Sequence, residues 1–184
     1  MKPWKTRSKT ALLNYGKFLT VENHQVELPD GRVIDDWAWL VTPDFVNIVA
    51  VTGDGKFLCF EQVKYGIEGD TLAVVGGFME PGEEPLAAAQ RELLEETGYR
   101  ASCWTSLGQY RVDPNRGAGI GYLFLAQDAQ FSAQTIVDDL EEQHLLMLDI
   151  DEVEVALLAG RFKSMAWSAN LALALLLLKK DHDS

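Results

Sequence analysis

The chain has 184 residues, of which 47% are hydrophobic, with a net charge of −12 at pH 7 and two cysteines. This length and composition predict a folded chain with its own core, and they exclude a disordered chain or a disulfide-stabilised scaffold. Because proteins that bind nucleic acid concentrate Lys and Arg, the acidic charge argues against a nucleic-acid partner.

Neither end of the sequence resembles an export signal or a membrane span. Met1–Lys17 is basic, but its longest apolar run is residues 11–13, whereas a signal peptide needs an apolar core of roughly 7–15 residues. Leu171–Leu178 is wholly apolar, yet a span needs about 18 such residues. We therefore expect no membrane partner, a cytoplasmic location, and two buried, unpaired thiols at Cys59 and Cys103.

The first predicted element is an antiparallel hairpin over residues 13–41. Its turn is Pro29-Asp30-Gly31, where Gly31 can take the positive φ that such turns often need. We expect this hairpin to form an N-terminal β extension, residues 1–42, followed by the main domain, residues 43–184.

Short strands separated by few helices are predicted for the rest of the chain. This pattern favours an α+β fold over a regular βαβ alternation. The predicted strands cover residues 45–51, 57–63, 71–75, 104–112 and 120–126, and the predicted helices cover residues 84–97, 151–158 and 166–180.

The helix predicted over residues 84–97 carries three glutamates on one face. Side chains three and four positions apart share a helix face, so Glu92, Glu95 and Glu96 converge. Their charges repel one another, whereas clustered carboxylates are the ligands that Mg²⁺ or Mn²⁺ prefers. A solvated acidic face is the alternative explanation. The other face is apolar and is expected to pack on a sheet; it consists of Leu86, Ala89, Leu93 and Leu94.

Eight residues in and around this helix stand at a specific spacing: Gly77, Glu83, Arg91, Glu92, Leu93, Glu95, Glu96 and Gly98. This spacing resembles the signature of the Nudix hydrolase family. Tyr99 is the one departure, because the family prefers an aliphatic residue there. The resemblance implies an α/β/α sandwich in which a loop–helix–loop segment holds divalent metals beside a mixed sheet.

The resemblance also implies roles for the motif residues. Glu92 and Glu96 match the principal metal ligands, and Glu95 matches a further ligand or a catalytic carboxylate. The backbone carbonyl of Gly76 is an additional candidate ligand. The expected cofactor is Mg²⁺, with Mn²⁺ as a substitute. The structural residues of the motif are Gly77, Glu83, Arg91 and Gly98, with Glu83 and Arg91 expected to form a salt bridge that braces the loop against the helix.

Hydrolysis of a phosphoanhydride also needs a carboxylate that accepts a proton from water. The acidic loop over residues 138–142 offers candidates, and relatives that hydrolyse ADP-ribose carry such a residue in the corresponding loop. Matching the segment that follows indicates Glu141, or else Asp139. An exposed loop without a catalytic role is the alternative.

The N-terminal extension indicates the branch of the family that acts on ADP-ribose and other nucleoside diphosphate sugars. Relatives use such an extension to dimerise and to sandwich the base between aromatic rings. Phe18 and Trp37 resemble that aromatic pair. Trp37 and Trp39 lie on one face of a strand, however, so a core or dimer contact is the alternative.

Scattered residues bear on the substrate. Lys64 could contact a phosphate, and Arg116 could contact phosphate or ribose. Ala73 and Val75 depart from the Glu and Pro that the ADP-ribose branch favours, so we expect contacts to the sugar that differ from those of that branch. The sequence therefore predicts an Mg²⁺-dependent hydrolase of ADP-ribose or a related nucleoside diphosphate sugar, a small-molecule substrate, acting as a homodimer.

Two rival functions remain open. The first is a Nudix hydrolase of another compound, such as a dinucleoside polyphosphate, NADH or a nucleoside triphosphate. The second is a non-catalytic Nudix domain that senses a nucleotide, although such domains tend to lose the motif glutamates and this chain keeps all four.

Overall fold

The computed structural model describes residues 1–133 and 142–182, with side chains described up to residue 180. The chain divides into two compact units. The first consists of Met1–Asp44 and Tyr110–Ile120, and the second consists of Phe45–Gln109 and Gly121–Ser184. Among the described residues, none of the helices has the length and apolar character that a membrane crossing requires.

An antiparallel meander of three strands forms most of the first unit: β1 (Lys5–Tyr15), β2 (Leu19–Glu27) and β3 (Val33–Val41). The central strand, β2, pairs with β1 on one side and with β3 on the other. The turn between β2 and β3 is closed by the Gly31 N–H, which donates to the Leu28 carbonyl at 3.0 Å, and Gly31 has a φ of 88°. The predicted turn is therefore confirmed.

Strand β1 was not predicted as a separate strand. The expected hairpin over residues 13–41 had a single strand before its turn at residues 29–31, whereas the structure has β1 from Lys5 to Tyr15, a turn over residues 16–18 and then β2. Every residue of β1 is exposed, and its first half consists mainly of Lys, Arg, Ser and Thr. A strand with no buried face carries no apolar alternation, which is the pattern that identifies strands in a sequence.

Two further strand segments complete the first unit: the end of β9 (Cys103–Asp113) and the start of β10 (Gly117–Phe131). The turn between them is joined to β3 by two hydrogen bonds of 2.7 Å. The Leu40 N–H donates to the Arg116 carbonyl, and Trp37 Nε1 donates to the Asn115 carbonyl. These bonds place the turn against the second half of β3.

The second unit is built on a mixed sheet around β4. Strand β10 pairs with β4 in parallel, whereas β5 and β7 pair with it antiparallel. Strands β6 and β11 pair with β5, and β8 pairs with the end of β10. The remaining strands have these bounds: β4 (Phe45–Thr52), β5 (Phe57–Val63), β6 (Asp70–Ala73), β7 (Val75–Phe78), β8 (Tyr99–Arg100) and β11 (Gln143–Leu148).

Helices cover both faces of this sheet. Alternate residues of a strand point to opposite faces, and β4 shows this clearly. Val46 and Ile48 pack in one buried cluster with α1 (Pro85–Thr97), whereas Val49 packs in another with α2 (Ile150–Leu158) and α3 (Met165–His182). The unit is an α/β/α sandwich with a mixed sheet, and the predicted α+β fold is confirmed.

Three local expectations were wrong. Residues 71–75 do not form one strand, because β6 ends at Ala73 on β5 and β7 starts at Val75 on β4. Leu86 is 43% exposed, and Ala88 packs into the core instead. Cys59 is buried as expected, but Cys103 is exposed at the start of β9.

Candidate active site

The candidate site lies where β7 ends and α1 begins. A turn precedes the helix: the Glu83 N–H donates to the Glu80 carbonyl at 3.0 Å, and the Glu80 N–H donates to Glu83 Oε2 at 3.0 Å. Helix α1 then starts at Pro85, whose fixed φ and missing N–H suit the first helical position. It ends at Gly98, which has the left-handed φ of 76° typical of a helix C-terminus.

Arg91 connects the helix to this turn through a bidentate ion pair. Its Nε lies 2.9 Å from Glu83 Oε1, and its Nη2 lies 2.9 Å from Glu83 Oε2. Nη2 also donates to the Phe78 carbonyl at 3.2 Å, at the end of β7. Parallel hydrogen bonds between a guanidinium and a carboxylate give a fixed geometry. Arg91 therefore ties together β7, the turn and α1.

We expect the Glu83–Arg91 pair to stabilise the fold in a pH-dependent way. The hydrogen bond from Arg91 lowers the pKa of Glu83 from 4.5 to about 2. Because the folded-state pKa is depressed, the stabilisation is complete above pH 4.5 and is lost as the pH falls towards 2. Glu83→Gln should lower the free energy of unfolding by about 1 kcal/mol at neutral pH.

The measurement is urea unfolding of wild type and Glu83→Gln between pH 7 and pH 3, in EDTA. The difference in the free energy of unfolding should shrink as the pH falls below 4.5. A difference that stays constant over this range would show that the carboxylate charge contributes nothing.

The third nitrogen of Arg91 contacts the predicted metal ligands. Nη1 lies 2.7 Å from Glu92 Oε1 and 3.0 Å from Glu95 Oε2. The guanidinium thus neutralises part of the charge that these carboxylates place on one face of α1. These extra contacts were not expected from the motif, which implied a pair with Glu83 alone.

Glu92 is the buried carboxylate of the group. Burial raises its pKa above the usual value of 4.5, although the hydrogen bond from Arg91 opposes this shift. Its carboxylate packs directly on Gly77 of β7, where a Cβ would lie 2.4 Å from Glu92 Oε1. Only glycine at residue 77 leaves room for the Glu92 carboxylate in this position.

Glu96 lies against the neighbouring residue of β7. The Gly76 N–H donates to Glu96 Oε2 at 3.1 Å. In an antiparallel strand the N–H and C=O groups of one residue point to the same side of the strand. The Gly76 carbonyl therefore points to the same edge as the N–H that holds Glu96.

These donors fit a divalent metal ion such as Mg²⁺. Over residues 1–133 and 142–182, no three acidic, His or Cys side chains are gathered closely enough to enclose an ion, since Arg91 pairs with Glu92 and Glu95. However, Glu92, Glu96 and the Gly76 carbonyl supply hard oxygen donors around one strand edge. Glu95 lies next to them, with 58% of its side chain exposed.

Two of the predicted catalytic residues cannot be placed. Glu141 and Asp139 lie outside the described residues. Lys64, in contrast, is half-buried just after β5, and its carbonyl accepts a hydrogen bond from the Ile67 N–H at 2.9 Å.

Trp37 lines a cavity of about 390 Å³ in the first unit. Trp4 packs edge-on against Trp37, with ring centroids 5.3 Å apart, and His24 stacks on Trp39 at 5.2 Å. The sequence did not single out Trp4 or His24. The lining residues are Trp4, Lys5, Thr6, Lys9, His24, Val26, Trp37, Trp39, Pro114 and Asn115.

Phe18 and Arg116 also belong to the first unit but do not line this cavity. Phe18 is 60% exposed, with the Lys17 ammonium 5.1 Å from its ring centroid. Arg116 is exposed in the turn before β10, and its Nη1 lies 3.5 Å from Asp113 Oδ2. The structure of the single chain thus does not bring Phe18 and Trp37 into one aromatic pair.

Comparison with known families agrees with the site. The family model of the NUDIX domain matches residues 41–168, and the model of the nucleoside diphosphate sugar hydrolase N-terminal domain matches residues 4–40. The first match covers most of the chain and contains all the motif glutamates. The chain belongs to the Nudix family.

Three curated relatives have similar sequences. The ADP-ribose pyrophosphatase of Bacillus subtilis (strain 168) is 33% identical over 124 residues, which cover 67% of this chain and 66% of that protein. The methanol dehydrogenase activator of Bacillus methanolicus is 28% identical over 145 residues, 78% of each chain. The ADP compounds hydrolase NudE of Escherichia coli (strain K12) is 29% identical over 130 residues, covering 67% of this chain and 69% of NudE.

A solved structure resembles the whole chain. The crystal structure of an ADP compounds hydrolase has a TM-score of 0.80 and covers 98% of this chain and 97% of its own. At 22% sequence identity this likeness shows the fold alone.

Proposed function

We propose that this chain hydrolyses the pyrophosphate bond of ADP-ribose or a related nucleoside diphosphate sugar, with Mg²⁺ as cofactor. The products are a nucleoside monophosphate and a sugar phosphate. The observation that carries the hydrolase assignment is the set of motif carboxylates on α1 beside the Gly76–Gly77 edge of β7. The match of residues 4–40 to a nucleoside diphosphate sugar hydrolase N-terminal domain supports the substrate class.

The proposed ligands of Mg²⁺, or of Mn²⁺ in its place, are Glu92, Glu96 and the Gly76 carbonyl, with Glu95 as a further ligand. A bound divalent cation neutralises phosphate charge and lowers the pKa of water. Arg91 holds Glu83 through Nε and Nη2, whereas only Nη1 contacts Glu92 and Glu95. The Nη1 contacts can therefore break in favour of the cation while the brace to Glu83 stays intact.

One carboxylate must also accept a proton during hydrolysis. Glu95 is the most exposed of the carboxylates that contact Arg91, so it is accessible to water and substrate. Glu141 and Asp139 are the other candidates. The pH profile of kcat for Glu95→Gln, Glu141→Gln and Asp139→Asn separates them, because loss of the base removes the acidic limb of the profile.

Four side chains are the proposed substrate contacts. Trp37 and Phe18 would stack on the base, and Lys64 and Arg116 would contact phosphate or ribose. The aromatic rings and lysines of the Trp37 cavity support the role of Trp37, because a nucleotide combines a flat ring with negative charge.

Trp37→Ala should raise the KM for ADP-ribose about tenfold while kcat stays within about twofold. The reason is that stacking on an aromatic side chain contributes about 1–3 kcal/mol per base. Trp37→Phe is the matched control, since it also removes the hydrogen bond to Asn115 but keeps a ring. Steady-state kinetics of wild type, Trp37→Ala and Trp37→Phe test this prediction. An unchanged KM in Trp37→Ala excludes Trp37 from the base site.

The substrate class is tested by chromatographic detection of the nucleotide products formed with Mg²⁺ from a panel of ADP-ribose, other nucleoside diphosphate sugars, a dinucleoside polyphosphate, NADH and nucleoside triphosphates. The proposal predicts the highest kcat/KM for a nucleoside diphosphate sugar. A preference for another member of the panel would leave a Nudix hydrolase with a different substrate. Binding of ADP-ribose without turnover of any compound would indicate a sensing domain instead.

We further propose that the chain is a homodimer in the cytoplasm. Residues 1–42 would serve as the extension for dimerisation and base binding, and residues 43–184 as the Nudix domain. Strand β1 supports this, because among the described strands it pairs with β2 alone. It exposes Leu12, Leu13 and Tyr15, and so offers an apolar edge to a second copy. Light scattering should give twice the chain mass for wild type and the single mass for Leu13→Lys.

A further inference from the structure

Asn47 is a buried polar residue beneath the candidate metal site. It lies in the middle of β4, directly opposite Gly76 of β7, and it is 4% exposed. Among the described residues, its Nδ2 has no hydrogen-bond partner. A buried polar group without a partner costs about 1–3 kcal/mol, so packing alone does not account for an asparagine here.

The side chain of Asn47 fills the space beside the Gly76 backbone. A Cβ on Gly76 would lie 2.7 Å from Asn47 Oδ1 and 2.3 Å from the Val46 carbonyl oxygen. Both distances are below any contact that real Cβ atoms make, so the two oxygens occupy the space that a side chain at residue 76 would need. Contacts between a Cα–H group and a carbonyl oxygen of this kind recur between neighbouring strands.

Gly76 is therefore held from two directions. Its N–H donates to Glu96 Oε2 at 3.1 Å on the edge that faces α1. Asn47 and the backbone of β4 hold it from the other side. A shift of the Gly76 backbone would move the Gly76 carbonyl. It would also break or lengthen the hydrogen bond from the Gly76 N–H that orients Glu96.

We propose that Asn47 is a positioning residue, whose side-chain carbonyl sets the orientation of the Gly76 peptide and, through it, of Glu96 at the metal site. This inference rests on the proposed function, because it assumes that the Gly76 carbonyl and Glu96 bind the cation. Leucine at residue 47 would place a methyl group, which is larger than a carbonyl oxygen, against Gly76 and displace the peptide. Alanine would leave the peptide unsupported.

The chain offers a matched control in Asn170 of α3. Asn170 is fully buried, and neither its Nδ2 nor its Oδ1 has a partner among the described residues. It lies in α3, a helix that contributes no candidate metal ligand. Asn170→Leu therefore removes the same kind of buried, unpaired amide as Asn47→Leu, but without altering the support of Gly76.

The experiment measures Mn²⁺ binding by calorimetry without substrate, and Tm in EDTA. Replacement of groups that orient metal ligands typically reduces metal affinity by about 10–100-fold. We expect the Kd for Mn²⁺ to rise by at least about tenfold in Asn47→Leu and Asn47→Ala, and to stay within about twofold of wild type in Asn170→Leu. The Tm in EDTA establishes that each variant is folded before its affinity for Mn²⁺ is compared.

Wild-type affinity for Mn²⁺ in folded Asn47→Leu would overturn the role of Asn47. If Asn47→Leu does not fold, Asn47→Ala, which adds no volume, decides in the same assay. An equal loss of affinity in Asn170→Leu would also overturn it, because the effect would then belong to the core in general. If the wild-type protein itself binds no Mn²⁺, the metal site of the proposed function fails and this role of Asn47 fails with it.

Discussion

Replacement of Glu96 by glutamine is expected to lower kcat by about two or more orders of magnitude and to leave the fold intact. Loss of one group that stabilises transition-state charge lowers kcat by about 10²–10³-fold in other hydrolytic sites, and Glu96 would act in this way through the cation that it binds. Glutamine retains an oxygen that accepts the hydrogen bond from the Gly76 N–H, so the contact between α1 and β7 survives. Relief of the charge repulsion with Glu92, four residues away, would raise stability by a few tenths of a kcal/mol at most.

Steady-state kinetics with Mg²⁺ and thermal unfolding in EDTA test this expectation together. Glu84→Gln is the control, because it removes the same charge from the start of α1, where the Glu84 side chain makes no capping hydrogen bond. Near-normal turnover in Glu96→Gln would rule out Glu96 as a metal ligand. A large fall in Tm would show that the charge of Glu96 serves the fold.

Gly77→Ala is expected to abolish most of the activity while the protein still folds. The new Cβ would lie 2.4 Å from the Glu92 carboxylate, which is the end of a flexible side chain and can swing away. The backbone of Gly77 does not have a positive φ, so alanine adopts it without strain. The loss of activity would follow from displacement of Glu92, one of the proposed metal ligands.

Gly76→Ala provides the contrast, because its Cβ would meet backbone. The Val46 carbonyl oxygen would lie 2.3 Å away and cannot move without distorting β4. We therefore expect Gly76→Ala to lower the free energy of unfolding by about 1–3 kcal/mol, as overpacking does, and Gly77→Ala to change it much less. Urea unfolding measures the free energy of unfolding of both variants, and steady-state kinetics measures their turnover. Normal turnover in Gly77→Ala would contradict the assigned position of Glu92.

The carboxylate face of α1 could be predicted because it depends on spacing along one helix. Glu92 and Glu96 are four residues apart, and a helix places them on one face whatever surrounds it. Gly98 could be predicted as the helix end for the same local reason. Strands β4 and β5 could likewise be predicted, because each is a short and nearly continuous apolar run.

The contacts made between distant parts of the chain could not be predicted. Trp37 meets Asn115 across 78 positions, and no pattern in the sequence pairs them. In the sequence Asn47 is simply a polar residue within an apolar strand. Its position against Gly76 follows only from the register of β4 with β7. Arg91 had several carboxylates within reach, and its contacts with Glu92 and Glu95 depend on side-chain conformations that spacing does not determine.

Strand β1 has an electrostatic consequence. Met1–Lys17 contains five of the 16 Lys and Arg residues and no acidic residue, so the rest of the chain is even more acidic than the total of −12 implies. The molecule therefore carries a strong charge asymmetry along its sequence. A polyanion diffusing towards it is repelled by most of the chain and attracted to the basic strand β1, where Lys5 and Lys9 border the cavity. Such steering raises the rate of encounter at low ionic strength and is screened by salt.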